Sequence, residues 1–122
     1  MDTAVLIFAV ESPERLTKRA SNSVRNPANS LELSAVSLVE IAVKASLGKL
    51  GLSVETVRQA IHDLGIRVVP FTAEHGFRLF SLPTHHSDPF DRQIIAQALV
   101  EDLPVVTPDD KFRLYKGLTI IW

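Results

Sequence analysis

The chain has no cysteine among its 122 residues. That absence removes a disulfide framework, thiolate zinc sites and cysteine nucleophiles together, and it predicts a reducing compartment. Long apolar runs are missing as well. The stretch Ala4 to Val10 is too short to cross a bilayer and follows no basic segment of the kind that opens a secretory signal. A cytoplasmic protein without membrane association is the expectation. Neither sign of charge is in excess: 13 Lys and Arg stand against 14 Asp and Glu, a formal net charge of −1. The total therefore gives no broad attraction to nucleic acid. Two local basic stretches stand out, Arg15, Lys18, Arg19 and Arg25 in one and Lys111, Arg113 and Lys116 in the other, and solvated surface accounts for them equally well. No repeat, low-complexity tract or Pro/Gly/Ser linker marks a second domain. Residues 1–122 are read as one domain, and 46% apolar residues suffice for a core without covalent staples.

What the chain does contain is alternating helix and strand signals. Ser12-Pro13-Glu14 places a capping residue before a first-turn proline and predicts a helix to about Val24, closed by Asn26-Pro27. Leu31 to Ser34 reads as a short strand. Ser37 is the expected cap of a helix through Leu38, Ile41, Ala42 and Ala45, stopped at Gly48. Ser53 to Leu64 repeats the pattern with Gly65 as stop, and Ile66 to Phe71 supplies a strand. Thr72 caps a short helix through Leu82, and Asp88-Pro89 starts a strongly apolar one to about Val100. Pro104 to Thr107 reads as a buried strand, with a last strand from Leu118 to Trp122. This alternation predicts an α/β fold with a mainly parallel sheet, whose ligands sit beyond the carboxyl ends of the strands.

Four acids stand where solvated charge is not expected: Asp2, Glu40 inside an apolar helix, Asp91 and Asp109. A buried carboxylate costs several kcal/mol unless it is paired or bound to a metal. Hard divalent cations, Mg²⁺ or Mn²⁺, take oxygen ligands of this kind and need no cysteine. Each acid also has a plainer reading. Asp2 can be a frayed terminal charge, and Glu40 can complete a capping box with Ser37 or pair with Lys44 four residues on. Asp88 competes with Asp91, but it precedes a first-turn proline and is the natural cap. Asp110 competes with Asp109 and reads as a solvated or helix-starting charge. His85 and His86 lack a second set of zinc ligands, so surface or substrate-contact roles are expected. Arg92 is expected to neutralise the acids, hold a phosphate or form a surface ion pair, and Trp122 to be a core or interface aromatic.

The blocks Met1-Asp2-Thr3, Ser34 to Lys44, Leu47 to Leu50, His85 to Arg92, Ile95 to Ala98 and Val106 to Asp109, in this order, resemble the PIN-domain ribonucleases, and among them the VapC-type toxins of bacterial toxin–antitoxin modules. The resemblance implies a PIN-like three-layer α/β/α sandwich. It places the family's acidic positions on Asp2, Glu40, Asp91 and Asp109 around Mg²⁺ or Mn²⁺, with Thr107 supporting a carboxylate or water from behind. It further implies a metal-dependent endoribonuclease acting on RNA, a small antitoxin covering the acidic groove, and a homodimer. Two other classes stay open: a catalytically inactive PIN-like interaction module, and a receiver-like phosphoacceptor. The latter needs a strand-end lysine near Asp109 that the sequence does not offer.

Overall fold

In the computed structural model, which describes residues 1–122, ten regular helices and strands alternate. Helix α1 (Thr3–Glu11) comes first and is capped by Asp2, whose Oδ1 accepts the Val5 N–H at 3.0 Å. The helix expected from Ser12 is broken: Pro13–Arg15 forms one 3₁₀ turn, and α2 (Lys18–Arg25) starts afresh at Thr17, whose hydroxyl oxygen accepts the Ala20 N–H at 3.1 Å. Leu16, extended between them, turns into the core and interrupts the helix. Strand β1 (Glu32–Ser34) runs directly into α3 (Ala35–Ser46). Ser34, not Ser37, is the cap, because the chain leaves the strand at that residue; Ser37 is left inside the helix and fully buried. Helix α4 (Val54–Asp63) is capped by Ser53 as expected, followed by Gly65 at φ +63°. Then come β2 (Arg67–Val69), α5 (Ala73–Leu79), α6 (Pro89–Glu101), β3 (Val105–Val106), a 3₁₀ turn at Asp110–Leu114, and β4 (Ile120–Ile121).

All strand pairing is parallel, in the α/β class the alternation predicts. The strands form two pairs rather than one continuous sheet: β1 with β2, Leu33 opposite Val68, and β3 with β4, Val106 opposite Ile121. Successive strand residues point to opposite layers. Val105 and Ile120 enter one core with Ile94, Ile95 and Phe112, while Val106 and Ile121 pack against Val5, Ala20 and Val24 on the other side. Helices thus cover both faces, and a third cluster, Leu6, Leu33, Ile41 and Val57, fills the space under α4. Helix α6 is buried over Ile94–Ala98, which is why its sequence is apolar nearly all round.

Met1 and Asp2 join the two strand pairs through their backbone. The Met1 amine donates to Glu32 O at 2.9 Å, and the Asp2 N–H donates to Val106 O at 3.0 Å. Away from this junction the pairs part around a cleft of about 500 Å³, bordered by Glu32, Val69, Gln97 and Val105, and Gln97 Oε1 has no hydrogen-bond partner there. Burial lowers the pKa of the Met1 ammonium, against the raising influence of Asp2 and Glu32. The junction places Asp2 at the carboxyl end of β3. No helix is long and apolar enough to cross a membrane.

Candidate metal centre

Four separate segments deliver carboxylates to one small cleft of about 200 Å³, bordered by Asp2, Glu40, Asp91 and Asp109 together with Lys44 and Asp88. Asp2 enters as the cap of α1. Its second oxygen, Oδ2, accepts the hydroxyl of Thr107 across 105 positions of chain. Burial raises its pKa, opposed by the hydrogen bonds from Thr107 and Val5. The plain reading of Asp2 as a frayed terminal charge is excluded, since the residue is buried.

Glu40 faces inward from the middle of α3 and is 4% exposed. Its Oε2 receives Lys44 Nζ at 2.6 Å, and its Oε1 lies 2.7 Å from Thr3 Oγ1, which in turn lies 2.9 Å from Ser37 Oγ. A carboxylate only accepts, so the Thr3 proton goes to Glu40. The hydrogen bond to Glu40 raises the Lys44 pKa, with further support from Asp88 and Asp91. Lys44 is the cleft's one cationic side chain. No capping box with Ser37 forms, because the helix starts three residues earlier.

Asp91 lies in the first turn of α6 and Asp109 caps the 3₁₀ turn after β3, its Oδ1 accepting the Lys111 N–H at 2.9 Å. Desolvation, then the neighbouring Asp88 charge, push the Asp91 carboxyl up to about 7, against the lowering influence of His86. Thr107 Oγ1 also accepts the Asp109 N–H at 3.1 Å, so one hydroxyl ties Asp2 to the Asp109 turn. Asp88 is the cap of α6, as expected, accepting from Phe90 N–H at 2.8 Å and Asp91 N–H at 3.3 Å, yet it also borders the cleft. Asp110 points to solvent and meets Arg113 at 3.4 Å.

Two side chains, His86 and Arg92, differ from expectation. His86 is buried at 6% exposure, and its Nε2 lies 2.7 Å from Asp109 Oδ2 and 3.1 Å from Asp91 Oδ2. The sequence offered one signal for this: a histidine two residues before an Asp-Pro cap is placed to accept the cap residue's N–H, and His86 Nδ1 accepts that of Asp88 at 3.1 Å. His85 stays exposed, edge-on to Tyr115. Arg92 neither neutralises the acids nor stands free for a phosphate. It donates to the Pro83 carbonyl at 2.9 Å and reaches those of Leu82 and His86 at 3.4 Å, pinning the loop before α6. Trp122 packs on Phe8 at 6.5 Å between ring centroids.

The donor set suits a hard divalent cation. Asp91 and Asp109 present carboxylate oxygens within 4.8 Å of one another, and every other acid of the cleft offers oxygen too. Carboxylates outnumber cations, and that imbalance adds to desolvation in raising the Asp91 pKa.

A cluster of carboxylates gathered beside the carboxyl end of a parallel strand in an α/β fold defines an acidic-centre protein. A family model described as "PIN domain" matches residues 1–118, and the chain belongs to the PIN-domain family. Its fold is similar to the crystal structure of VapBC2 from Rickettsia felis bound to a DNA fragment from their promoter, with a TM-score of 0.72, 17% identity, and coverage of 97% of this chain and 92% of that one. No curated protein sequence matches the chain.

Proposed function

We propose that this PIN-domain chain is a Mg²⁺- or Mn²⁺-dependent endoribonuclease, acting as one domain and as the toxin of a type II toxin–antitoxin pair. The observation that carries the reading is the convergence of Asp2, Glu40, Asp91 and Asp109, from four distant segments, on one cleft. A divalent cation supplies such a centre with a Lewis acid for the phosphate and a water of lowered pKa. Asp2, Asp91 and Asp109 are assigned as its ligands, and Glu40 as a further ligand or as the group that orients the attacking water. Thr107 and Thr3 hold Asp2 and Glu40 in place. Lys44, on the rim, adds a positive charge for an RNA phosphate.

The toxin role is supported by the fold shared with a structure described as a VapBC complex. A small antitoxin that covers the groove, and a homodimer, accompany that role as proposals. The test is cleavage of single-stranded and structured RNA with Mn²⁺ or Mg²⁺, with chelator, and by Asp91→Asn and Asp109→Asn. Cleavage appears with metal, vanishes with chelator, and is lost in both folded variants, since an amide keeps the shape and removes the charge. Undiminished cleavage by Asp91→Asn in excess chelator overturns the proposal. Absence of cleavage of every RNA by the intact chain favours the catalytically inactive interaction module.

A further inference from the structure

His86 is fixed on every side. Its backbone N–H donates to the Tyr115 hydroxyl at 2.8 Å, its ring stands edge-on to Phe112 at 5.9 Å between centroids, and its Nδ1 accepts the Asp88 N–H at 3.1 Å. The last contact decides where the ring proton sits. A backbone amide only donates, so Nδ1 keeps its lone pair and a neutral ring carries its hydrogen on Nε2. Nε2 in turn faces Asp109 Oδ2 at 2.7 Å and Asp91 Oδ2 at 3.1 Å.

We infer that His86 is a positioning residue of the proposed metal centre: an Nε2–H donor to Asp109 Oδ2 that also stands 3.1 Å from Asp91 Oδ2 and so fixes where the two carboxylates sit, and not itself a ligand. The inference rests on the metal-site reading above. His86, Asp91 and Asp109 together have the composition and proximity of a three-ligand site. For Nε2 to bind a cation, however, the ring proton must move to Nδ1, where it would meet the Asp88 N–H donor against donor at 3.1 Å. That N–H cannot turn away cheaply, because Asp88 is the cap of α6 and its own side chain holds the Phe90 and Asp91 amides. Side chains that orient metal ligands from behind change metal affinity by about 10–100-fold when removed, which sets the size of effect expected here.

Two measurements test this. In the metal-free protein, long-range ¹H–¹⁵N NMR of the histidine rings shows His86 as the Nε2–H tautomer; an Nδ1–H tautomer overturns the inference. With Mn²⁺ bound, electron spin-echo spectra show no directly coordinated imidazole nitrogen, and calorimetry finds Mn²⁺ affinity about tenfold or more weaker in His86→Leu. His86→Gln, whose amide restores a donor, recovers most of that loss, and His86→Ala, which offers no donor, takes the place of His86→Leu if that variant does not fold. An imidazole coupling that disappears in His86→Leu or His86→Gln makes His86 a ligand and overturns the inference. Unchanged Mn²⁺ affinity in folded His86→Leu overturns it as well. If the intact chain takes up no Mn²⁺ while showing the Nε2–H tautomer, the metal-site reading fails, and the contact's role in positioning ligands falls with it.

Discussion

Asp91 is the residue in which the centre's electrostatics are most concentrated. Its folded pKa of about 7 stands above the ordinary value of 3.8, so between those values the folded protein holds a proton that the unfolded chain has released. Stability of the metal-free protein therefore declines as pH rises from about 4 to about 7 and levels off above that window. Urea unfolding at a series of pH values in chelator shows the decline. Asp91→Asn flattens most of it, leaving the part that Asp2, also raised by burial, contributes with the same sign. A slope unchanged by Asp91→Asn would place the titrating group elsewhere. Of the residues themselves, the four acids were legible because each is an anomaly in its own segment, a charge inside or beside apolar sequence. His86 was not. Its burial depends on Tyr115 and Phe112, which lie more than twenty residues further on and are brought beside it only by the turn after β3.

At the scale of elements, α6 shows how a cap sets the geometry of a site. Asp88 holds the first amides of the helix, including that of Asp91, and the same aspartate raises the Asp91 pKa by charge. Two substitutions separate these effects. Asp88→Ala removes the cap and costs about 1 kcal/mol in urea unfolding, whereas Asp88→Asn keeps it and loses little stability. Asp88→Asn also brings the Asp91 pKa down by NMR titration, because a like charge is gone. Equal stability loss in the two variants would deny the cap its role. Helix starts and stops of this local kind, Ser53, Gly65 and Asp88, could be read from the sequence because the signal and the structure lie within one turn of each other. Ser12 and Ser37 misled for a complementary reason. Each has a capping side chain, but Leu16 turning into the core and the direct passage from β1 into α3 moved the helix starts to Thr17 and Ser34. Those displacements follow from tertiary packing, which no local signal carries.

For the whole molecule, the α/β class and the parallel pairing followed from the alternation of elements. The division into two strand pairs did not, since strands of two or three residues give too little pattern to reveal which edges meet. The centre sits where the two pairs meet, Asp2 being held against β3 while the adjoining Met1 is held against β1. A cation binding only the folded state stabilises it by mass action, by about 2.7 kcal/mol at a hundredfold excess over its dissociation constant. Thermal unfolding in Mn²⁺ and in chelator measures this. The expected rise disappears in Asp109→Asn, and an equal rise in that variant would show binding outside the cleft.

The hydrogen bond from Thr107 to Asp2 joins positions 105 residues apart. A polypeptide emerging from a ribosome presents Asp2, Glu40 and Asp91 well before Thr107 and Asp109 come free, and until then Asp2 lacks its Thr107 donor and the cleft lacks one wall. The acidic centre is therefore completed only by the last part of the chain to be made.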